Sequence, residues 1–275
     1  MGQVKRIKQS IDDAIDRLIK ESLVKKAVAQ RFIENGDQLP EKLLALFEDL
    51  GESADEEPQK TEYGHSKGFK PLSVKKQKEK YAKDFPDLDT SHIEEVVKQL
   101  PLKKGKFKLV VPKSSKLGGY HLGLEAILDR IGKERNFYNY RKGQLGPDRL
   151  RLTEKTKVAL EKLEAETPGD FIVLLIQDTD FVGFSVEDAR KKFKEDEVGL
   201  DPLSGTFYMW LHPDRISGKK EESFVDLAGG KYAPHAGGDF SCALCFGWGG
   251  GELCFGSRFV KDAYSFYGSA SASLP

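Results

Sequence analysis

Cysteines are few in this sequence, and long apolar runs are missing. Three cysteines among 275 residues make an odd number, which excludes a framework of paired disulfides and favours a reducing compartment. No segment approaches the ~20 consecutive apolar residues of a membrane-spanning helix. The first residues mix charges with isolated aliphatics and lack the apolar core of a secretory signal. We therefore expect a soluble, cytoplasmic protein with no membrane contact.

The sequence also lacks the common catalytic motifs. It contains no H-E-x-x-H, G-x-S-x-G, G-x-x-x-x-G-K-[ST] or G-x-G-x-x-G, which argues against the enzyme classes that use them. Lys plus Arg equals Asp plus Glu at 44 each, so net charge selects no partner. The cofactor is unknown from the sequence, and whether the protein is an enzyme stays open.

Apolar periodicity predicts a helical hairpin over residues 1–50. Aliphatic side chains recur every three or four positions through residues 3–34, Asn35-Gly36 provides a stop, and a second apolar face ends before Gly51. Two helices alone cannot cover both apolar stripes. We expect the hairpin to dock on the body of the protein or to self-associate.

Residues 51–72 are predicted to form a flexible linker, because they are polar, contain glycine and proline, and lack periodicity. Residues 73–275 form the predicted body. Its expected helices begin at Ser73, at the capping box of Ser91, near Leu122, at Thr153 and at Ser185. Its expected strands are residues 107–111, 171–176 and 206–211, followed by a β-hairpin of residues 240–248 and 252–260 around Gly249-Gly250-Gly251.

The pattern as a whole predicts an α+β fold: an N-terminal helical hairpin, a linker, a mixed sheet with flanking helices, and a C-terminal β-hairpin. The apolar run at residues 171–176 indicates a strand buried on both faces, at the centre of the sheet. The core face of the helix near Leu122 is predicted to consist of Leu122, Leu124, Ile127, Leu128 and Ile131. Residues 264–275 are expected to be a flexible end or an inserted arm.

Charge is unevenly distributed along the chain. Residues 101–151 contain 13 Lys and Arg against four Asp and Glu, whereas residues 152–226 contain 10 against 17. Cations alternate with aromatic residues from Lys133 to Lys142, a composition that suits phosphates and unpaired bases. The candidate contacts in this part of the chain are Arg135, Tyr138, Tyr140, Arg141 and Lys142.

A turn at residues 113–119 joins a predicted strand to a predicted helix. Its glycines would let an anion approach the backbone at a helix N-terminus, and its lysines would add charge. Lys113, Lys116, Gly118 and Gly119 are therefore further candidate ligand-binding residues. A plain turn before a helix is the competing interpretation.

Two other groups of residues have metal-ligand chemistry. Asp178 and Asp180 follow the apolar strand and could share a divalent cation that orients a phosphorylated substrate, with turn and capping roles as the alternative. Cys242, Cys245 and Cys254 could bind zinc, but cysteines three apart on a strand face opposite sides of the sheet. Core thiols are the favoured interpretation, and metal binding there stays open.

The favoured function is a non-enzymatic binding or assembly protein that contacts nucleic acid, or another polyanion, through one basic and aromatic face. Its affinity is expected to fall steeply with salt. One alternative is a metal-dependent enzyme in which the turn at residues 113–119 holds the phosphate beside Asp178 and Asp180. Another is a structural subunit of a homomeric assembly.

Overall fold

The computed structural model describes residues 62–273. These residues all belong to the compact unit that begins at Glu57. The predicted hairpin of residues 1–50, and residues 51–61 of the predicted linker, lie outside the described part of the chain.

The described residues form an α+β fold, as the sequence predicts. The helices are α1 Val74–Asp84, α2 Ile93–Gln99, α3 Tyr120–Glu134, α4 Glu154–Glu166, α5 Val186–Lys192 and α6 Pro202–Leu211, and a 3-10 turn covers Ser114–Leu117. The strands are β1 Phe107–Pro112, β2 Phe137–Asn139, β3 Leu150–Leu152, β4 Phe171–Gln177, β5 Glu197–Gly199, β6 Phe224–Asp226, β7 Gly230–Tyr232, β8 Cys242–Gly249, β9 Glu252–Phe259, β10 Tyr267–Ser269 and β11 Ser271–Ser273.

A four-stranded antiparallel sheet has the order β1-β4-β11-β5. All seven residues of β4 are buried, and β4 lies between two partner strands, which confirms the prediction of a central strand. The last strand, β11, fills the gap between β4 and β5. The predicted inserted arm is therefore confirmed as far as Ser273.

The other sheet has seven strands and is built around the β8–β9 hairpin. The two strands pair antiparallel from Cys242 opposite Phe259 to Gly249 opposite Glu252. Gly250 and Gly251 form the two-residue turn with positive φ values of 62° and 86°, conformations that glycine adopts without strain. β2 extends the sheet in parallel beyond β9, while β6 and β7 pair with the other edge of β8. β10 and β3 complete it, beside β6 and β7.

Side-chain caps start several of the helices where the sequence predicts a start. The hydroxyl oxygens of Ser73, Thr153 and Ser185 accept hydrogen bonds from backbone N–H groups in the first turns of α1, α4 and α5, satisfying donors that a helix leaves unpaired. The capping box at Ser91 is not formed. His92 occupies the N-cap position of α2, and Ser91 bonds to Asp89 instead.

Two predictions, one for α6 and one for α3, are wrong. Residues 206–211 belong to α6, because Asp201 caps the helix through the N–H groups of Leu203 and Ser204 and Pro202 occupies its first turn. All ten residues of α6 are buried, so no amphipathic period marks it as a helix. Leu122 is 68% exposed rather than part of the core face of α3.

One apolar cluster includes residues of both sheets and of α1, α3 and α6. Within it, the ring of Tyr81 contacts those of Phe171, Phe207 and Trp210, and its hydroxyl donates to the Val110 carbonyl oxygen. Helix α1 is thereby attached to the four-stranded sheet. No helix within residues 62–273 has the length and apolarity needed to span a bilayer.

Residues 62–72, the described part of the predicted linker, are bonded to the body. The Gly64 N–H donates to the carbonyl oxygen of Glu221, and the Ser223 N–H donates back to the Gly64 carbonyl oxygen. The Leu72 N–H donates to Nε2 of His212 at 2.9 Å. These bonds fix this part of the chain to the segment that follows α6.

Replacing Gly205 with Ala is expected to lower the free energy of unfolding by about 1–3 kcal/mol. The added Cβ would overlap the buried side chain of Leu227. The matched control is Gly132→Ala in α3, whose Cβ would meet only a Phe137 ring carbon at 3.5 Å. Since Ala is the better helix former, the control should gain about 0.5–1 kcal/mol. Urea unfolding of both variants measures the contrast, and a stability change of the same sign in both would contradict it.

Candidate functional site

The β8–β9 hairpin presents two chemically different faces. Leu244 and Phe246 of β8, with Leu253 and Phe255 of β9, belong to the apolar core. Alternation along paired strands directs the intervening residues to the opposite face. We call this opposite face the glycine-rich face; its residues are Cys245, Gly247 and Gly249 of β8, Cys254, Gly256 and Arg258 of β9, Phe224 and Asp226 of β6, Tyr267 and Ser269 of β10, and Tyr138 of β2.

A cavity of about 320 Å³ opens on this face. Gly247, Gly249 and Gly256 contribute no side chains to its lining, and a Cβ at Gly247 would lie 2.7 Å from the Phe224 ring. Around these glycines stand larger side chains, which are Tyr140, Arg141, Phe224, Cys245, Trp248, Cys254, Ser257 and Tyr267. The glycines therefore leave the space that the cavity occupies, and aromatic rings form much of its wall.

Tyr138 and Tyr140 stand beside the cavity with much of their surface in solvent. Their exposed fractions are 51% and 58%, and their ring centroids are 4.5 Å apart. The Tyr140 N–H donates to the carbonyl oxygen of Phe255, so the pairing of β2 with β9 brings both rings to the hairpin. Solvent-exposed rings on an ordered strand are suited to stacking on a planar ligand.

Arg141 and Arg135 each lie beside an aromatic ring. Nε of Arg141 is buried and has no hydrogen-bond partner among the described residues. Its guanidinium lies over the Tyr232 ring at 5.3 Å. Arg135 lies 5.9 Å from the Trp248 ring and donates to the carbonyl oxygens of Pro213 and Ile216. Both arginines are in contact with aromatic rings, and Arg135 also with carbonyl oxygens, rather than with acidic side chains.

Lys142 differs from Arg141 although it is the next residue. It does not line the cavity, its side chain is 74% exposed, and its ammonium lies 3.5 Å from the Asp129 carboxylate. Of the five candidate residues between 135 and 142, Tyr140 and Arg141 line the cavity. Tyr138 packs against Tyr140, and Arg135 lies beside the ring of Trp248. Lys142 lies outside the lining.

The other four candidates lie elsewhere, at the end of β1. The Lys113 side chain is buried and donates to the carbonyl oxygen of Thr167, while Lys116 pairs with Asp170 at 3.0 Å. Gly118 ends the 3-10 turn with a φ of 77°, and Gly119 caps α3. The nine candidate residues therefore do not form one continuous surface.

Many cations of residues 101–151 are neutralised within the fold. In four of the five pairs the acidic partner comes from another part of the chain, so part of the local excess of positive charge is balanced within the fold. The pairs are Lys103 with Asp196, Lys106 with Glu197, Lys116 with Asp170, Arg130 with Asp84, and Lys142 with Asp129.

Asp178 is fully buried at the carboxyl end of β4 and already has three partners. Its oxygens accept from His65 Nε2 at 2.8 Å, from the Tyr208 hydroxyl at 2.9 Å and from Nε of buried Arg215 at 2.5 Å. Burial raises the pKa of Asp178, but the Arg215 charge and the His65 hydrogen bond outweigh it and hold the pKa well below its ordinary value. This carboxylate anchors residues 62–72 to the body.

The metal-dependent alternative needs two segments that the structure separates. The Lys113 N–H donates to the carbonyl oxygen of Asp170, at the start of β4, whereas Asp178 and Asp180 follow its other end. Asp180 accepts from the Gln177 side-chain amide at 2.6 Å. Within residues 62–273, no group of three or more His, Cys, Asp or Glu residues is arranged to hold a metal ion.

The three cysteines are free thiols. Cys242 packs in the apolar core, while Cys245 and Cys254 line the cavity. Burial raises the pKa of the Cys245 thiol far above its ordinary value, so it stays protonated and unreactive at neutral pH.

An ion pair that sequence reasoning missed lies within the glycine-rich face. Nη1 of Arg258 donates to Oδ2 of Asp226 at 2.9 Å, with both side chains at least 93% buried. Asp226 Oδ1, Ser269 Oγ, and Nε and Nη2 of Arg258 have no partner among the described residues. Burial raises the pKa of Asp226 to about 6, although Arg258 and Arg190 act to lower it.

A larger cavity of about 650 Å³ lies between α3, α4 and the start of α6. Apolar side chains line much of it, and its acidic residues include Glu154, Glu161 and Glu164. His121 is also in its wall, with Nδ1 at 2.6 Å from the Leu145 carbonyl oxygen. Its carboxylates disfavour an anionic ligand, which makes the smaller cavity the better candidate for one.

No family model, no curated protein and no solved structure gives a significant match to this chain.

Asp226→Asn is expected to change how stability depends on pH. Between about pH 4 and pH 6, folded Asp226 keeps a proton that the unfolded chain releases, so the wild-type free energy of unfolding loses a contribution as pH rises. At about 1.4 kcal/mol per pKa unit, the contribution is about 3 kcal/mol. Urea unfolding at several pH values should show the stability difference between wild type and variant changing by this amount. Parallel curves from pH 4 to pH 7 would contradict the prediction.

Proposed function

We propose that this protein is a non-enzymatic binding protein whose anionic partner is single-stranded nucleic acid, bound at the cavity of the glycine-rich face. The proposal rests on one arrangement of side chains around this cavity. The exposed rings of Tyr138 and Tyr140 adjoin a glycine-floored cavity. Arg141 lines this cavity, and its buried Nε has no partner among the described residues.

Each part of this arrangement matches one part of a nucleotide. Tyrosine rings offer faces on which unpaired bases stack, at about 1–3 kcal/mol per base. Arg141 offers a charged donor to a phosphate oxygen. A duplex would keep its bases stacked on one another and away from the tyrosines, so single strands are the better substrate class.

The proposed contact is local rather than a long electrostatic track. Lys113 and Lys116, which the sequence nominated, lie away from the cavity and have partners of their own. Arg141 and Lys142 remain as the cations closest in sequence to the exposed rings. Affinity should therefore come mainly from stacking.

Two further elements of the proposal rest on the sequence alone. Self-association through residues 1–50 follows from the apolar stripes of that segment. Cytoplasmic location follows from the odd number of cysteines, and the free thiols at residues 242, 245 and 254 agree with it.

Tyr140→Ala is expected to weaken binding of a fluorescein-labelled single-stranded DNA by about five- to hundredfold, because a stacking ring is lost. Tyr140→Phe keeps the ring and should bind like the wild type. Phe259→Ala is the positional control, since this exposed aromatic lies on β9 but alternation directs it away from the glycine-rich face. Fluorescence anisotropy at low ionic strength measures all three. Wild-type protein with no signal at high concentration would refute the proposed function.

Salt dependence gives a second test. With Arg141 and Lys142 as the phosphate contacts, the logarithm of affinity should fall with the logarithm of salt concentration at a slope of about −1.4. Lys142→Ala should reduce the magnitude of that slope by about 0.7. A wild-type slope of about −4 or steeper would contradict the local contact and indicate an extended cationic surface.

A further inference from the structure

The cavity on the glycine-rich face has room for one nucleotide and no more. Its volume of about 320 Å³ is at the lower end for sites that enclose a small ligand. Its floor is formed by hydrogen-bonded strands β8 and β9, so a chain cannot pass through it. A nucleotide at the end of a strand can enter, whereas an internal nucleotide must leave room for the chain on both sides.

Arg141 is positioned to meet such a ligand. Arg141 is the charged residue among the described residues that line the cavity. Its backbone N–H is fixed by Asn139 Oδ1 at 2.8 Å, and its guanidinium lies over Tyr232. Its buried Nε nevertheless has no partner among the described residues. A buried charged donor without an acceptor is costly, and an anionic oxygen removes that cost.

A second arginine stands behind the wall of the cavity. Tyr267 lines the cavity on one side, and the Arg258 guanidinium lies 4.5 Å from the same ring. Arg258 uses Nη1 to bind Asp226, which leaves the edge formed by Nε and Nη2 without a partner in the described part of the chain. Through this edge, an arginine can hold an oxyanion by two parallel hydrogen bonds. Arg190 also acts on Asp226, so the charge of this carboxylate is shared between two arginines.

We propose that the cavity receives the terminal nucleotide of a single strand through its phosphomonoester, bound directly by Arg141 and attracted by Arg258 from behind Tyr267. A phosphomonoester carries about −1.5 to −2 charges near pH 7, whereas each internal phosphodiester carries one. The two arginines therefore favour the chain end. This inference rests on the proposed function and narrows it to strands with a terminal phosphate.

The test compares one DNA sequence in three forms: with a 5′-phosphate, with a 3′-phosphate, and with hydroxyls at both ends. Full-length protein should bind one of the phosphorylated forms about tenfold more tightly than the hydroxyl form in a competition anisotropy assay. Equal affinity for all three forms would overturn the inference and leave the proposed function standing. Absence of binding to every form would overturn both.

A free nucleoside monophosphate distinguishes the two sources of the phosphate. It should compete much less well than the phosphorylated strand, because it lacks the further base that stacks on the exposed tyrosines. Equal competition by the mononucleotide would overturn the assignment to a strand end.

Arg141→Lys keeps the charge and removes Nε. We expect it to abolish the tenfold preference for the phosphorylated end while affinity for the hydroxyl form changes less than about threefold. Arg151→Lys is the matched control, since it makes the same substitution at an exposed arginine of β3 that lies outside the cavity lining; it should keep the preference. Retention of the preference in Arg141→Lys would overturn the role of Arg141.

Discussion

Continuous pairing between β8 and β9 is the constraint on which the proposed site depends. Because eight residue pairs join the two strands without a bulge, alternate side chains are committed to opposite faces over the whole hairpin. The apolar set completes the core, and the glycines, cysteines and Arg258 are left together on the other side. A slip of one residue would exchange the faces and bury glycines where Phe246 and Phe255 now pack. The strand register that fixes the core therefore also fixes which residues face the cavity.

Charge in this molecule is used mainly to hold distant segments together. Arg215 and His65 meet at Asp178, Arg258 meets Asp226, and Lys106 meets Glu197. Each pair joins parts of the chain that are far apart in sequence. Buried pairs of this kind cost desolvation and add little net stability, but losing one partner is severe. The exceptions are Arg141 and the free edge of Arg258, whose donors are unused within the described residues.

Local signals in the sequence were sufficient for much of the fold. The apolar run of β4, the Ser and Thr caps and the hairpin around Gly250 are each specified by neighbouring residues, and each is observed. Helix α6 was missed because complete burial erases the helical period, and its aromatic residues resemble a strand. At the site, Tyr138, Tyr140 and Arg141 were identified from composition. Their partners Trp248, Tyr267 and Arg258 were not, because the parallel pairing of β2 with β9 joins residues over a hundred positions apart.

The position of β11 has a consequence for synthesis of the chain. β4 and β5 are made well before residues 271–273, yet each pairs with β11 and not with the other. While the polypeptide is still emerging from the ribosome, both strands present open edges, the kind of surface to which a second nascent chain can add. Closure of the four-stranded sheet must wait for these residues. The demand on chaperones should accordingly last until residues 271–273 have been made.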